Sequence, residues 1–595
     1  MSSMASPSSH SHTLLGGQRP ENLKITTNHA LNDGMEFDVL IAGAGMSGLY
    51  TAWRMANEWQ TSPQLASYAK NGQLRIGILE WSDRVGGRLD SLIMADMQNV
   101  PAELGGMRFT TSHQILMQVI ETFKLPVDDF PMSDNSQFCL RGQRTSEKEI
   151  DAGKPVPYNL PVAEQKQTPN QLFNYAIQQI CNYQDSWTDS NWQWIKENYR
   201  VESGLYKGMS LFDIGFWNIL FTTLSNEGYD FVWDGGGYNS NTINWNAAEA
   251  MPYMLTDFSV HPVFKRIPTG FHQVPAALAN AVQSAGVPIY KFVRLNSFQN
   301  VSDASGQWTE CKVRVGETAE REATLKARCL FLAMPRHSLE LLDQNCEFFR
   351  SAPVQYNIQS VLLQPAYKLF LAYDKRWWNK DLFYAGPTIT DMQLRMTYDF
   401  GSENERGGKP DDTRTLLLAS YSDMQSTTFW GALERENVYT TPPSWEKIGS
   451  KGGAIAPPRM VQMAEGMLTK VLSVGGVSPT PSKLLAAHYQ DWSQDPYGAG
   501  FHAWAAHYKA WEVMRNVRKP LANYSVFICG EAYSNAQGWV EGALCTAESI
   551  LEDFFGMPRL AGVSKDYPLL TPVPIEPGTH DPKPTQHYKG MFHGL

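Results

Sequence analysis

The glycine-rich segment that begins at residue 43 constrains the fold more than any other part of this chain. It reads Gly43-Ala44-Gly45-Met46-Ser47-Gly48 and follows the apolar, β-prone run from Val39 to Ile41. Glycines at this spacing permit a tight turn, a close backbone approach to a pyrophosphate and close helix–strand packing. The residues from Met46 to Trp59 have the apolar spacing of a helix, whose N-terminus would present N–H groups to phosphates. The segment therefore predicts a dinucleotide site on a parallel sheet.

A second apolar run supports this prediction. It extends from Arg75 to Leu79 and ends at Glu80, where a carboxylate can accept hydrogen bonds from ribose hydroxyls. Glu80 lies further from Gly48 than the usual separation of about 20 residues. The polar insert from Thr61 to Gln73 accounts for the extra length as a loop. The glycine spacing alone is often fortuitous, but strand, helix and acid-ended strand together favour the nucleotide site.

The overall composition restricts the classes of protein to which this chain can belong. Its 595 residues are 43% hydrophobic and 18% charged, which is typical of a globular protein with a substantial core and more than one domain. The formal net charge of −10 and the lack of a basic run argue against nucleic acid as a partner. The seven scattered cysteines show neither a CxxC motif nor metal-ligand spacing, so we expect buried free thiols and no metal site.

The ends of the chain carry no targeting signal that we can identify. Residues 1–20 are rich in Ser and His and have no apolar core, which argues against a secretory signal. The sequence has no run of about 18 apolar residues that could span a membrane. We therefore expect a cytoplasmic protein without a membrane partner.

The α/β signals are divided among distant parts of the chain, which predicts interleaved domains. We expect a mixed α/β (α+β) fold in which a Rossmann-like nucleotide-binding domain is interleaved with a substrate-binding domain and a helical insertion. The glycine- and aromatic-rich block from Gly228 to Tyr238 predicts an ordered loop near a ligand or a domain joint, or alternatively a packed turn. The predicted parts are an N-terminal tail (1–35), the nucleotide-binding domain (36–111, 263–340 and 500–556), a helical and substrate-binding excursion (112–262), the substrate-binding domain (341–499) and a Pro-rich C-terminal tail (557–595).

Further motifs make the chain resemble a known family. They are Arg84-Val85-Gly86-Gly87-Arg88, Glu103 to Arg108, Val526 to Glu531 and Gly538-Trp539. With the first glycine motif and Glu80, they resemble the flavin-dependent amine oxidase superfamily, in its branch of L-amino acid oxidases and amino acid 2-monooxygenases, over residues 36–556. The resemblance implies bound FAD. It implies noncovalent binding, because the region from Pro496 to Phe501, which is similar to the segment that tethers flavin in monoamine oxidases, has no cysteine.

The resemblance also implies which residues contact the cofactor. Glycines allow close backbone approach, and the forked guanidinium of arginine suits phosphate. The implied set is Gly43, Gly45, Met46, Ser47, Gly48, Glu80, Arg84, Gly86, Gly87, Arg88, Gly105, Gly106, Met107, Arg108, Val293, Gly530, Glu531, Trp539 and Val540.

Arg108 is the residue that points to the substrate class. In the amino acid-oxidising branch the matching arginine forms a bidentate pair with the substrate carboxylate, and the alternative is a pair with an internal acid. Tyr398 resembles the tyrosine that donates to the same carboxylate. Lys368 resembles the lysine that holds a water near flavin N5, although a lysine before an apolar strand can also be a surface charge.

Trp539 resembles the aromatic wall beside the flavin, where the Gly538 carbonyl could accept a hydrogen bond from the substrate amine. We accordingly assign Lys368 and Trp539 as catalytic residues, and Arg108, Tyr398, Gly538 and Trp539 as substrate-binding residues. If the amine reacts in its neutral form, no histidine is needed as a catalytic base. We therefore interpret four histidines as structural: His272, His488, His502 and His507.

The implied activity is oxidative deamination of L-amino acids to 2-oxo acids, with hydride transfer from Cα to flavin N5 and release of ammonia and hydrogen peroxide. The implied partners are the amino acid, dioxygen and a second copy of the chain in a homodimer or higher homo-oligomer. Alternatives are an amino acid 2-monooxygenase, a monoamine or polyamine oxidase, and a flavin-binding protein without catalysis. Side-chain specificity stays open, because Asp230 and Asp234 could attract a basic substrate or face solvent.

Overall fold

Strands and helices alternate along the chain in the computed structural model, which describes residues 17–18, 20–25, 29–132, 135–182, 189–257, 263–304, 306–317, 320–383, 386–434, 454–474 and 479–570. The strands are β1 Gly17–Gln18, β2 Glu36–Ala42, β3 Ile76–Leu79, β4 Ser91–Met94, β5 Pro101–Glu103, β6 Phe109–Thr110, β7 Asp128–Asp129, β8 Gln137–Leu140, β9 Gln143–Ser146, β10 Phe264–Arg266, β11 Ile289–Tyr290, β12 Val293–Asp303, β13 Gly306–Val315, β14 Arg321–Ala333, β15 Val361–Gln364, β16 Ala366–Tyr373, β17 Thr388–Thr390, β18 Met396–Ser402, β19 Thr415–Asp423, β20 Ala454–Ile455, β21 Leu484–Asp491, β22 Phe501–Trp504 and β23 Val526–Cys529.

The helices connect these strands and cover the sheets. They are α1 Met46–Glu58, α2 Pro63–Tyr68, α3 Gln114–Thr122, α4 Glu147–Asp151, α5 Pro169–Ile180, α6 Asp189–Asn198, α7 Phe216–Thr223, α8 Asn226–Gly235, α9 Ala247–Asp257, α10 Gln273–Ser284, α11 Arg336–Glu340, α12 Glu347–Arg350, α13 Ala352–Gln359, α14 Lys380–Phe383, α15 Gln425–Gly431, α16 Pro458–Ser473, α17 Ala510–Arg518 and α18 Val540–Phe555.

The glycine-rich motif follows strand β2 of the first large sheet. The parallel part of this sheet has the order β11-β3-β2-β14-β23, and the antiparallel strands β13 and β12 extend it beside the first half of β14. All of these strands lie within the segments predicted for the nucleotide-binding domain, while the exact domain boundaries stay a prediction. The mixed α/β fold class is confirmed.

Both faces of this sheet are buried, as expected for parallel strands. Along β14, Cys329 and Phe331 face a core that includes α1, α10 and α18, whereas Leu330 and Leu332 face a second core that includes α13 and α17. The alternation follows from the two-residue period of a strand. Because both faces are covered, a ligand can approach this sheet at the carboxyl ends of its strands.

A second large sheet has the strand order β20-β21-β16-β19-β18-β17-β8-β9. One face packs against the helical excursion through residues such as Phe370, and the other packs against α15 and α16 through residues such as Leu369 and Leu371. The excursion 112–262 was predicted to be mostly helical. It also supplies the hairpin β8–β9 to this sheet, since β8 pairs with β17. The excursion and the segment 341–499 therefore share one sheet.

The block from Gly228 to Tyr238 is not the loop that we predicted, because most of it belongs to α8. Ser225 caps the helix by accepting a hydrogen bond from Gly228 N at 3.0 Å. A Cβ at Gly228 would overlap the Glu164 carboxylate, so this glycine allows close packing rather than a turn. Tyr238, which follows the helix, nevertheless lies at a cavity described below.

The regions predicted as tails contribute to the core. Leu23 and Ile25 are buried from the N-terminal side, and β1 pairs with β4. From the C-terminal side, Leu560 and Tyr567 are buried, together with Met557, Val563 and Leu570. These residues pack against α1, α3 and α18, whereas the rest of the predicted Pro-rich tail, residues 571–595, lies outside the described residues.

All seven cysteines are free thiols, as predicted; six are buried and Cys346 is half-buried. Among the helices within the described ranges, none combines the length and the apolar character needed to cross a bilayer.

The buried C-terminal segment gives a prediction about stability. Leu560→Ala should lower the free energy of unfolding by about 2–5 kcal/mol, because it leaves a cavity in the core. Leu205→Ala is the matched control, since Leu205 is 78% exposed and its loss should cost less than about 0.5 kcal/mol. Urea unfolding followed by tryptophan fluorescence measures both. Equal effects of the two substitutions would contradict the packing described here.

Candidate active site

The glycine motif opens onto a cavity of about 220 Å³ at the carboxyl ends of the parallel strands. We call it the strand-end cavity. Its wall includes Gly43 and Glu80, which follow β2 and β3, and Gly530, which follows β23. It also includes Gly87 and Val293. The carboxyl edge of an open α/β sheet, where neighbouring connections diverge, is the usual place for a nucleotide to bind.

Each of the three glycines of the motif occupies a position that favours glycine for a different structural reason. Gly43 has φ +114° and packs so closely on β14 that a Cβ would overlap the Ala333 carbonyl. A Cβ at Gly48 would overlap the Gly43 carbonyl, so this glycine brings α1 close to β2. A Cβ at Gly45 would meet no protein atom within 4 Å. The backbone at Gly45 therefore faces open space at the start of α1, which suits an approaching phosphate.

Glu80 is held in place by the same loop. Its carboxylate accepts hydrogen bonds from Ala44 N at 2.8 Å and from Ser82 N and Oγ at 2.9 and 2.8 Å. Val293 N donates to the Glu80 carbonyl at 2.9 Å, which brings β12 to this corner of the cavity. The acid and the strand predicted to contact the nucleotide thus lie side by side.

The two arginines of the Arg84–Arg88 segment have different positions. Arg84 is buried and stabilises the turn at Gly86-Gly87. Its Nη2 donates to the Gly87 carbonyl at 2.7 Å and to the Tyr497 hydroxyl at 3.1 Å. Arg88 lines the strand-end cavity and donates to the Gly500 carbonyl at 2.9 Å. Arg84 therefore shapes the turn, whereas Arg88 forms part of the wall of the cavity.

Glu531 connects this segment to the last strand of the sheet. Its carboxylate accepts hydrogen bonds from Arg88 Nη1 at 2.9 Å, from Gly538 N at 2.7 Å and from the main-chain N and the ring Nδ1 of His502 at 2.9 Å each. Burial opposes the charge, but Arg88 and His502 outweigh it and lower the pKa of Glu531 to about 2. The carboxylate is therefore ionised and holds Gly538 beside Arg88.

A second cavity of about 140 Å³ adjoins the first. We call it the tyrosine cavity, after Tyr238, Tyr253 and Tyr421 in its wall. Arg108 and Lys368 also line it. The two cavities meet at residues that belong to both walls: Arg88, Gly106, Gly500, Gly538, Trp539 and Val540. The two cavities are therefore neighbours, with these six residues at their junction.

Arg108 has no acidic partner among the described residues, so the alternative of an internal ion pair finds no support. Its Nη1 contacts Met132 Sδ at 3.2 Å, and its guanidinium carbon lies 4.1 Å from the ring centroid of Phe264 and 5.6 Å from that of Phe130. Arginine stays protonated in proteins. The tyrosine cavity therefore contains a positive charge with no described carboxylate paired to it.

Lys368 is buried and is not an edge charge. Its Nζ donates to the carbonyls of Glu103 at 3.0 Å and Gly105 at 2.6 Å, and lies 4.6 Å from the ring centroid of Tyr421. Burial lowers the pKa of Lys368, with nearby Arg108 acting in the same direction and Glu103 against it. The amine consequently gains access to its neutral form, in which it can accept a proton.

Trp539 lies at the junction, immediately before α18. Its ring is nearly parallel to that of Phe264, with 13° between the planes and 6.1 Å between the centroids, and it meets His113 edge-on at 5.0 Å. Gly538 precedes it with φ +83° and lines both cavities. The aromatic wall and the backbone carbonyl assigned to the substrate amine are therefore at one place.

Most residues predicted to contact the cofactor line the strand-end cavity. These are Gly43, Gly45, Met46, Ser47, Glu80, Gly86, Gly87, Arg88, Gly106, Val293, Gly530, Glu531, Trp539 and Val540. The remaining residues lie nearby. Gly48 allows α1 to pack closely on the Gly43 backbone, and Arg84 stabilises the turn at Gly87. Gly105, Met107 and Arg108 line the tyrosine cavity.

Tyr398 lies beside Arg108 but is not among the residues that line the tyrosine cavity, and its role in substrate binding stays a prediction. It is buried, its hydroxyl contacts Met396 Sδ at 4.0 Å, and it lines a separate small cavity with Phe130. Burial raises the pKa of Tyr398, and Arg108 opposes this rise through its charge and a hydrogen bond. The tyrosines that line the cavity itself are Tyr238, Tyr253 and Tyr421.

Sequence reasoning missed most of the aromatic wall of the tyrosine cavity. Tyr238 lay within the block flagged as a ligand-side loop, but the others show no spacing that could identify them. They come from distant elements: Tyr253 from α9, Phe264 from β10, Tyr421 from β19 and Trp492 from the end of β21. The acids considered as specificity residues have partners elsewhere, since Asp230 pairs with Arg141 and Asp234 accepts from the Tyr158 hydroxyl.

Comparison with known proteins identifies the class. A family model described as flavin containing amine oxidoreductase matches residues 46–439. The chain therefore belongs to the flavin-containing amine oxidoreductase family, which confirms the resemblance inferred from the motifs and implies a flavin cofactor.

Individual relatives are distant but similar over most of their length. Aplysianin-A from Aplysia kurodai is 26% identical over 546 residues, covering 87% of this chain and 90% of that protein. An L-amino-acid oxidase from Demansia vestigiata is 22% identical over 534 residues, covering 88% of each. A structure of putrescine oxidase bound to putrescine has a TM-score of 0.57 at 15% identity, covering 88% of this chain and all of that one, and shows the shared fold.

The motif glycines offer a paired test of the cofactor site. Gly45→Ala should reduce the flavin content of the purified protein, because its methyl group would fill the open space beside α1, while stability without flavin changes by less than about 1 kcal/mol. Gly48→Ala should lower both flavin content and stability, the latter by about 1–3 kcal/mol, because the methyl group overlaps backbone.

The matched control is Gly431→Ala, where an added Cβ meets nothing within 4 Å and lies far from the motif in sequence. Flavin absorbance per protein and thermal unfolding of the flavin-free protein measure the two effects. Unchanged flavin content in Gly45→Ala would contradict the assignment of the strand-end cavity.

Proposed function

We propose that this protein is an FAD-dependent L-amino acid oxidase. One observation carries the proposal: Arg108, which has no acidic partner among the described residues, lines an aromatic cavity that adjoins the strand-end cavity at Gly538 and Trp539. A guanidinium in such a cavity can form a bidentate pair with a substrate carboxylate. An oxidase of simple amines needs no such cation. Relatives named L-amino-acid oxidase support the same activity.

We propose FAD, bound noncovalently, as the flavin. The strand-end cavity offers the open backbone at Gly45, the carboxylate of Glu80 and the edge of β12 at Val293, which suit the pyrophosphate and the adenosine part of a dinucleotide. No cysteine occurs among the described residues that line this cavity. When bound, FAD supplies the hydride acceptor of the reaction and passes the electrons to dioxygen.

The residues of the tyrosine cavity would orient the substrate. Arg108 would hold the carboxylate, with Tyr238 and Tyr421 as further hydroxyl donors in the same wall. The Gly538 carbonyl and the face of Trp539 would hold the amine end at the junction of the cavities. Two anchors at opposite ends of the amino acid backbone fix the Cα–H between them, which supplies orientation rather than covalent chemistry.

Lys368 is the group that we assign to proton handling. It lies in the same cavity wall as Arg108, and the carbonyls of Glu103 and Gly105 hold its Nζ in place. Because burial lowers its pKa, the amine can accept a proton or hold a water molecule near the substrate. No described Asp or Glu lines the tyrosine cavity, so the assignment needs no carboxylate base.

Substrate profiling with flavin-loaded protein tests the proposed reaction. We expect hydrogen peroxide and a 2-oxo acid from L-amino acids, and no comparable turnover of D-amino acids or of amines without a carboxylate. Arg108→Met should lower kcat/KM by about 100-fold or more at unchanged flavin content, since it removes one partner of an enclosed charge pair. The matched variant Arg108→Lys keeps the charge but loses the fork, and should retain part of the activity.

The products separate the alternatives. An amide with carbon dioxide in place of peroxide and 2-oxo acid would establish a 2-monooxygenase. Turnover of putrescine or another amine that survives Arg108→Met would establish an amine oxidase. Bound flavin that no amino acid reduces under anaerobic conditions would indicate a flavoprotein without this activity. The homo-oligomeric state and the cytoplasmic location stay predictions.

The lining of the tyrosine cavity also predicts side-chain selectivity. Its wall is aromatic and contains Arg108 but no acid among the described residues, so a second cation would be buried without a partner. We expect kcat/KM for L-leucine or L-phenylalanine to exceed that for L-lysine by about 10-fold or more, which corresponds to about 1.4 kcal/mol. Steady-state peroxide assays at one pH measure this ratio. A preference for L-lysine or L-arginine would contradict the composition of the wall.

A further inference from the structure

The guanidinium of Arg108 is surrounded by aromatic rings where a counter-ion would be expected. The face of Phe264 lies 4.1 Å from the guanidinium carbon, well within the 6 Å of a cation–π contact, and Phe130 lies at 5.6 Å. Arg108 contacts Met132 Sδ, a weak acceptor, and hydrogen-bonds with the Tyr398 hydroxyl. The surroundings therefore favour the charge through rings and uncharged groups, and no described carboxylate pairs with it.

The fold places Phe264 at this position by two independent contacts. Strand β10 pairs with β6 so that Phe264 lies opposite Thr110, two residues after Arg108. The Phe264 carbonyl also accepts a hydrogen bond from Phe130 N at 2.9 Å, which brings the second ring to the same place. Phe264 is 5% exposed, so its ring cannot swing into solvent without disturbing the core.

Phe264 contacts both proposed substrate anchors. Its ring is nearly parallel to that of Trp539 and also supports the guanidinium of Arg108. A carboxylate in its place would occupy the N–H donors of Arg108 and would have to be displaced by every substrate. An aromatic face attracts the cation through its quadrupole and occupies none of these donors.

We infer that Phe264 is a positioning residue for substrate binding: its ring holds Arg108 in place of an internal carboxylate and keeps the guanidinium open for the substrate carboxylate. This inference rests on the proposed function, because it takes the ligand of Arg108 to be a carboxylate. It adds a residue that the motifs did not identify.

The test uses purified flavin-loaded protein and two probes of nearly the same shape, benzoate and benzamide. Isothermal titration calorimetry gives Kd for each. In Phe264→Leu, which keeps apolar volume but loses the quadrupole, Kd for benzoate should rise by about 2- to 30-fold. Kd for benzamide should change by less than about 2-fold. Phe264→Tyr, which keeps the ring, should bind benzoate like the wild type.

Kinetics provides a second readout. Phe264→Leu should raise KM for the L-amino acid more than it lowers kcat, because the ring acts on carboxylate binding. If Phe264→Leu does not fold with flavin, Phe264→Met replaces it as the variant without a ring. An equal loss of affinity for benzoate and benzamide, or none for benzoate, would overturn the inference, since the ring would then provide only shape or nothing.

Arg108→Met separates this inference from the proposed function. If benzoate binding depends on Arg108 but not on the Phe264 ring, the role of Phe264 is wrong and the carboxylate site stands. If benzoate binds wild type and Arg108→Met equally, the carboxylate site itself is wrong, and with it the proposed oxidation of amino acids at this cavity.

Discussion

The ion pair between half-buried Arg88 and buried Glu531 is the interaction on which the arrangement of the site depends. The two residues are 443 positions apart, and their bond joins the glycine turn near the start of the chain to the turn after the last strand of the first sheet. Glu531 also holds Gly538 N and His502. Removing one partner would leave an uncompensated charge, which is costly inside a protein. The pair therefore fixes the junction of the two cavities relative to the nucleotide-binding loops.

The charge of Arg108, unlike that of Arg88, is not paired with a described carboxylate. Arg84, Arg88 and Glu531 are engaged by the protein itself and serve the geometry of the backbone. Arg108 is supported by Phe264 and Phe130 and has no described acidic partner. The charges that hold the fold together thus differ from Arg108, which no described carboxylate neutralises. This contrast, more than the presence of an arginine in a motif, supports a carboxylate-bearing substrate.

Local motifs predicted the parts of the site whose function depends on backbone shape. The tight turn at Gly43, the close packing at Gly48 and the acid at Glu80 follow from residue type and short spacing, and the structure has each where the motif implies it. The glycine content of the segment now seen as α8 led to the wrong prediction of a loop, because a glycine can allow either a turn or close helix packing. At Gly228 the contact with Glu164 shows that close packing is the reason. The place of Tyr398 beside Arg108 but outside the wall of the tyrosine cavity likewise depends on the pairing of strands, which no local pattern reveals.

The sequence by itself determined the class of fold, the end of the sheet where the strand-end cavity lies and the presence of Arg108 beside the glycine motifs. These features are encoded within short segments, where strand, turn and helix follow each other in a fixed order. The tertiary structure alone decided the composition of the tyrosine cavity, because Tyr253, Phe264, Tyr421 and Trp492 come from separate elements and meet only when a helix and strands of different sheets come together. It also decided that Arg108 is supported by rings, since the partner of a charge is set by spatial and not by sequential proximity.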